Sequence, residues 1–457
     1  MKPGIEQLYE LFLQCGRVST DSRRVERGAL FFALKGESFN GNDYAAAALG
    51  NGAGHVVIDN PAIYSTLRER YGERVSLVEN SLTALQQLSK YNRLKHKLPV
   101  IAITGTNGKT TTKELINAVL SKRYKTVCTE GNLNNHIGVP LTLLRIDNTT
   151  EVAIVEMGAS APGEIAALAE LVCPSFGLIT NVGRAHLLGF GSFEGVKRTK
   201  GELYADLERH KKVAFVNVDN PDLMEMLGHY PSLHIVPYGI KNNNVKVEFG
   251  SGTPYLKLTF PAPDFDSAKQ RSEVVVNTRL IGRYNADNVL AAICVALYFD
   301  VPARDAVEAV EGYIPSNNRS QLKNTERNTL IIDAYNANPT SMRAALENFR
   351  EMDYPIKSLI LGDMLELGVD SLNEHKTILS LAIGLGAETL YLVGEEFGKA
   401  FGELSAEKGR ESAAKGVKLF KDSLQLREYL EKEQPQGRCF LIKGSRGTKL
   451  ERVLETL

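Results

Sequence analysis

The stretch Val100–Leu120, VIAITGTNGKTTTKELINAVL, limits the possible folds of this chain more than any other. Its apolar, β-branched opening predicts a buried strand that ends near Thr104. Its second half, Lys113–Leu120, has helical periodicity. Between them lies the glycine turn TGTNGKTTT, Thr104–Thr112. A strand–turn–helix of this kind aims successive backbone N–H groups and a helix N-terminus at phosphate oxygens. Gly105 and Gly108 permit unusual dihedrals, Lys109 can reach the β- and γ-phosphates, and Thr110 can offer its hydroxyl to Mg²⁺. The long Walker pattern asks for a glycine where this chain has Ile103, so the form present is the shorter GxxGKT. A glycine turn without a ligand is the rival reading, and the run of three threonines weighs against it.

The surrounding pattern extends this motif into a layered α/β domain. EVAIVEMG, PSFGLITNVG and KKVAFVNVDN are further apolar strands separated by helical segments. That alternation predicts a largely parallel sheet covered on both faces. Residues 233–280 differ: VKVEFG, YLKLTF and EVVVNTRLI are short runs between turn residues and predict antiparallel strands. ADNVLAAICVALYF, Ala286–Phe299, predicts a helix. Before residue 98 the chain predicts a small mixed domain with a strand in Ala29–Gly36 and another at His55–Ile58. Its last helix, residues 81–97, carries a basic face expected to be solvated. After Gly312–Pro315, NTLIIDAYN, KSLILGDM, TLYLVGE and RCFLIKGSRG predict a second α/β sheet. The expected division is 1–97, 98–314 and 315–457.

Composition narrows the partners. Lys+Arg and Asp+Glu are both 54, so the net charge is zero. Nucleic-acid binding, which normally rests on a basic face, is disfavoured, while a local basic pocket remains open. The five cysteines are scattered without a CxxC pair, as in a reducing compartment. No apolar run approaches the ~18 residues of a membrane span. The first residues lack the basic and apolar regions of a secretory leader. The expected setting is the cytoplasm.

Ligands of doubly wound sheets collect beyond the carboxyl ends of strands. Glu156 ends one strand, and Asn181 and His186 follow another. Glu156 reads as either a Mg²⁺ ligand or a hydrogen-bonded structural carboxylate, and His186 as either a ligand or a structural histidine. The segment Thr129–Gly138, TEGNLNNHIG, is too polar for a core. Asn132, Asn134 and Asn135 within it could read a polar substrate or cap turns. Lys200, on a predicted helix, reads locally as a solvent lysine.

Together TGTNGKTTT, GNLNNHIGVP, EMGASAPGEI, TNVGRAHLLGFGS, GRYNADN and DAYNANPTSM resemble the Mur ligase family, ATP-dependent amide-forming enzymes of peptidoglycan precursor synthesis. The resemblance runs nearly end to end. YNANPTSM and LGDMLELG resemble the branch that adds D-alanyl-D-alanine to a UDP-N-acetylmuramoyl-tripeptide. The DNPR signature of the branch adding the third residue is absent. The resemblance implies three domains: one for the uridine nucleotide end, a P-loop ATPase-like core with a parallel sheet, and a Rossmann-like C-terminal domain. It implies ATP and two Mg²⁺ ions, small-molecule substrates and a monomer.

The resemblance also assigns roles. Ser22 and Arg23, in DSRRVERGALFFALKG, match the nucleotide-sugar segment. Gly105, Thr106, Asn107, Gly108, Lys109, Thr110 and Thr111 match the ATP phosphate loop. Thr110 and Glu156 match ligands of one Mg²⁺; Glu156 and His186 fall near the second, with Lys200 as a carbamylated lysine. Asn285 and Asn288 match adenine contacts, although Tyr284 stands where many relatives have histidine. Arg319 matches an arginine reaching ATP phosphate and Asp333 a carboxylate near the ribose. Asn336 and Asn338 fall where D-alanyl-D-alanine is read. The third residue of the tripeptide, diaminopimelate or lysine, stays open. The rivals are a ligase that adds that third residue, and a nucleotide-dependent regulatory module.

Overall fold

Alternation of side chains along short buried strands sets the architecture. In a computed structural model, which describes residues 3–250, 254–261, 273–315, 318–408 and 416–457, the chain forms four sheets. The first holds Val18–Ser19, Leu30–Phe32, His55–Ile58 and Val75–Leu77 in that order, all parallel. Leu30, Phe32 and Val57 pack against the helices Ile5–Cys15 and Ser81–Lys95. Phe31, Val56 and Ile58 point the other way, onto Ala45–Gly50 and Pro61–Tyr71. The period of two thus divides one strand between two cores.

The basic face of residues 81–97 is solvated at Lys95 and Lys97, as expected, and the structure corrects that expectation at Arg93. Arg93 is only 7% exposed. Its Nε donates to the Val172 carbonyl (3.0 Å), closing the C-terminus of the helix Glu164–Val172. Asn92 donates to the Leu143 and Ile146 carbonyls at 2.9 and 3.0 Å. These buried donors weld the first domain to the second, because carbonyls removed from water need partners.

The second sheet runs His234–Tyr238, Val213–Asn217, Phe176–Ile179, Val100–Thr104, Val152–Glu156, Thr126–Cys128, all parallel. Ile101, Ile103 and Ile154 face a core shared with Lys109–Leu120 and Asn285–Tyr298. Val100, Ala102 and Val155 face Glu164–Val172 and Phe193–Arg209. His234–Tyr238 departs from the antiparallel expectation for residues 233–280. It follows the helix Pro221–Leu227 as a parallel edge strand, where Pro237 leaves no required donor unmet. Lys246–Phe249, Tyr255–Pro261 and Glu273–Ile281 do form an antiparallel sheet. Residues 251–253 and 262–272 of that stretch lie outside the described residues.

The fourth sheet runs Gln321–Asn324, Thr329–Asp333, Cys439–Lys443, Lys357–Gly362, Thr389–Val393, Val417–Phe420. All its pairings are parallel except the opening hairpin. Its two edge strands, QLKN and VKLF, are too short and polar to stand out in the sequence. Strand order reverses beside Val100–Thr104, which opens a crevice beyond the strand ends. Asp333 and Lys443 close neighbouring strands of the fourth sheet and face the same crevice. No helix among the described residues is long and apolar enough to cross a membrane.

His55, 6% exposed on the first sheet, meets the Ser76 hydroxyl at 2.8 Å. Burial, helped by Arg68 and Arg74, pushes its imidazole down to about 4. The unfolded chain therefore takes up the proton first as pH falls from about 6.5 to about 4. Stability is expected to fall by ~3 kcal/mol across that window. Urea midpoints against pH should show the slope in the native chain and lose most of it in His55→Gln.

Candidate active site

The phosphate loop is held open by side chains from neighbouring strands. Gly105 has φ +141°, and a Cβ there would lie 2.0 Å from Thr180 Oγ1. Gly108 has φ +78° and caps the helix, which starts at Lys109, one turn earlier than the periodicity alone predicts. Asn107 sits at the apex. Its N–H donates to Asn181 Oδ1 (3.0 Å), and its carbonyl accepts from Asn181 Nδ2 (3.1 Å) and Thr180 Oγ1 (2.6 Å). Its side-chain oxygen accepts from Asn338 Nδ2 of the last domain (2.8 Å). Thr106 Oγ1 accepts from the Gly183 N–H (2.9 Å). Lys109 Nζ turns back onto the Gly105 and Thr106 carbonyls at 2.8 and 3.1 Å. Desolvation lowers its pKa; Glu156 opposes that shift and Arg319 adds to it.

The loop opens into a cavity of about 1140 Å³ walled by all three α/β units. Gln86 and Lys90 come from the first, the loop, Glu156 and His186 from the second, and Arg319, Asp333, Tyr335 and Asn336 from the last. Glu156, 1% exposed, accepts from Thr110 Oγ1 on one carboxylate oxygen (2.9 Å) and Asn134 Nδ2 on the other (2.7 Å). A hydroxyl and a carboxylate so placed are the hard oxygen donors that Mg²⁺ takes, with phosphates and waters completing its shell. No group of three His, Cys, Asp or Glu side chains suited to a metal occurs among the described residues.

Other expected residues fall around this centre. His186 adopts φ 51°, and its Nδ1 lies against the Glu366 carboxylate of the last domain. Burial lowers its pKa against that carboxylate's pull. Lys200 is 3% exposed, so the local reading as a solvent lysine is wrong. Its helix, Phe193–Arg209, turns that face inward. Lys200 makes no hydrogen bond or ion pair among the described residues; its Nζ lies 5.6 Å from the Phe190 ring centroid. Desolvation brings its pKa down to about 7.

Asn132 and Asn135 line the cavity, and Asn135 Oδ1 caps Ile137 and Gly138. Thr111, Asn285 and Asn288 also line it. Asn288 Nδ2 donates to Asn285 Oδ1 (2.8 Å), and Asn288 Oδ1 accepts from Thr112 (2.9 Å). Asp333 holds Lys443 Nζ at 2.5 Å. Asn336 is exposed on the wall, whereas Asn338 is buried, caps the helix Pro339–Glu351 and spends its amide on Asn107. Ser22 and Arg23 lie off the cavity wall. Arg23 pairs with Asp21 at 2.9 Å and holds that carboxyl down to about 2.

Comparison with known proteins matches the three units in order. Residues 16–93 match the Mur ligase family catalytic domain, 103–296 the Mur ligase middle domain, and 318–446 the Mur ligase glutamate ligase domain. The UDP-N-acetylmuramoyl-tripeptide–D-alanyl-D-alanine ligase of Bacillus subtilis is 33% identical, over 96% of this chain and 92% of that protein. The chain belongs to the Mur ligase family. The ligase of the same name from Escherichia coli is also 33% identical, over 96% and 93%. The crystal structure of MurF from Acinetobacter baumannii superposes with a TM-score of 0.80 at 31% identity, covering 96% and 92%. MurF ligase from Thermotoga maritima in complex with ADP gives 0.78 at 26%, covering 96% of each chain.

Several groups of this Mur ligase site were not legible as such. Lys113 is buried and donates to the Thr129 carbonyl (2.7 Å), while Thr129 Oγ1 accepts from the Glu156 N–H (2.9 Å). Tyr335 stacks under Arg319, and Lys443 anchors Asp333. A lysine one turn past a GKT motif was the available signal for Lys113. Glu366 sits in the quoted LGDMLELG segment, but only the docked domains give it His186 as a partner.

Gly108→Ala would place a Cβ 2.7 Å from Asn288 Oδ1 in a left-handed conformation. The strain, about 1–3 kcal/mol, is expected to weaken ADP binding about tenfold, read by calorimetry.

Proposed function

We propose that this chain is the ATP-dependent ligase that joins D-alanyl-D-alanine to UDP-N-acetylmuramoyl-tripeptide in peptidoglycan precursor synthesis. The carrying observation is the single cavity at which phosphate loop, first domain and last domain meet. A ligase needs its nucleotide, acid and amine in one water-poor space. Relatives bearing that activity in their names match 96% of the chain, which fixes the choice of amine and acid.

The terminal carboxylate of the tripeptide attacks the γ-phosphorus of ATP, and ADP leaves. The acyl phosphate that results is attacked at its carbonyl carbon by the dipeptide amine. The tetrahedral adduct expels phosphate, the amine nitrogen loses its proton, and an amide remains. No side-chain nucleophile is needed; the protein supplies position and charge. Loop N–H groups cradle the phosphates, and Lys109 swings from its own carbonyls to the transferring group. Arg319, which makes no hydrogen bond among the described residues, offers its donors to the same oxygens. Asp333, fixed by Lys443, reads the ribose, and Asn336 meets the incoming dipeptide. Asn285 and Asn288 contact adenine, and Asn132, Asn134 and Asn135 contact the acid substrate. Ser22 and Arg23 hold the uridine end, outside the reaction cavity.

Thr110 and Glu156 would hold one Mg²⁺, and Glu156 and His186 with Lys200 would serve the second. Magnesium there would neutralise charge that otherwise repels the incoming carboxylate. Lys200 fits its part only as a carbamate. A buried lysine without an anionic partner is costly as an ammonium and nucleophilic toward CO₂ as an amine. Addition of CO₂ to Nζ, with loss of a proton, converts it to an anion. The reaction runs in the cytoplasm, on a single chain whose domains complete the site, with the division 1–97, 98–314 and 315–457.

Phosphate release with ATP is expected only when UDP-N-acetylmuramoyl-tripeptide and D-alanyl-D-alanine are both present. Release with the UDP-dipeptide and a diamino acid instead would overturn the assignment. Lys109→Ala should lower kcat at least about a hundredfold. Protein equilibrated with ¹³C-bicarbonate should show one carbamate resonance that Lys200→Arg lacks, and a spectrum without it would refute the modification.

A further inference from the structure

Arg319 is held in an unusual way. Its neighbours Asn318 and Ser320 both have positive φ, 56° and 48°, so the backbone turns sharply on either side. Ser320 Oγ is fixed 2.9 Å from the Tyr284 hydroxyl, and the Asn318 N–H donates to Gln321 Oε1 at 3.0 Å. These contacts anchor the main chain and say nothing of where the guanidinium points. The side chain makes no hydrogen bond or ion pair among the described residues, and its Nε is buried without a partner. A guanidinium has five N–H donors, and leaving them unmet beside protein is costly unless an anion arrives.

One group does face it. The Tyr335 ring centroid lies 3.6 Å from Arg319 Cζ, the separation of direct stacking. Arg446 Cζ lies 5.4 Å from the same ring and also lacks an acidic partner among the described residues. The Tyr335 hydroxyl makes no hydrogen bond to described residues, so the ring face is the part in use. Both Tyr335 and Arg319 border the cavity that contains Lys109.

We propose that Tyr335 is a positioning residue, whose ring fixes the Arg319 guanidinium so that its donors face the phosphate loop. A flexible arginine would otherwise spend entropy to find the transferring phosphate in each cycle. A flat aromatic face fixes the guanidinium plane while consuming none of its N–H groups. A carboxylate in the same place would take two of those donors and cancel the charge. The proposal rests on the reading of Arg319 as a phosphate contact.

The test replaces Tyr335 by Phe, by Leu and by progressively fluorinated phenylalanines, in native and Arg319→Ala chains. Fluorination drains the ring's negative face with little change in shape, so it remains informative if Tyr335→Leu fails to fold. Tyr335→Phe should keep native kcat, and Tyr335→Leu should lose about tenfold. Each added fluorine should lower kcat further, with a smaller change in KM for ATP. In the Arg319→Ala background the series should be flat. A flat series in the native background, or equal losses in both backgrounds, overturns the proposal while leaving Arg319's role intact. An Arg319→Ala chain with native kcat removes the phosphate reading itself, and this proposal with it.

Discussion

The hydrogen bonds around Asn107 are the constraint on which the rest of the site depends. A phosphate loop must keep the N–H groups at its helix N-terminus unpaired and convergent, and here the N–H groups of Thr106 and Asn107 are given to Asn181 to hold that shape. Here Asn181 grips the peptide group of Asn107 on both sides, and Thr180 fills the space that a side chain at Gly105 would need. The strand Phe176–Ile179 carries both gripping residues at its carboxyl end, so sheet order and loop shape are one problem. Removing the grip would let the loop satisfy itself and close.

Around this clamp the charges are arranged to be incomplete. Lys109 rests on carbonyls, Arg319 rests on a ring, and Lys200 rests on nothing charged. Asp333 and Lys443 satisfy one another, as do Lys90 and Glu170 at the first-domain side of the wall. Cations and carboxylates balance over the whole chain and along the cavity wall, yet Lys109 and Arg319 make no ion pair among the described residues. An anionic ligand therefore gains electrostatic energy that the folded protein has not already spent internally.

Legibility in the sequence followed range of interaction. The loop, the strands around it and Glu156 were readable because strand, glycine turn and helix are local patterns. The first domain's parallel sheet was not, since two- and three-residue strands carry little periodicity. His234–Tyr238 looked like part of an antiparallel set because pairing direction depends on the crossover helix before it. Lys200 and Arg93 were misread from local polarity. Each is buried by a partner element distant in sequence, which a helical wheel of its own segment does not include. Asn338 carried the expected motif, but its bond to Asn107 spans 231 positions and exists only once two domains dock.

That bond has a further consequence for how docking responds to solution conditions. It joins two neutral amides, whereas the contact of Arg184 with Glu374 between the same domains joins charges. Salt screens that charged contact and leaves an amide pair almost untouched. Ionic strength therefore weakens the Arg184–Glu374 contact of the seam before the amide pair at Asn338 and Asn107.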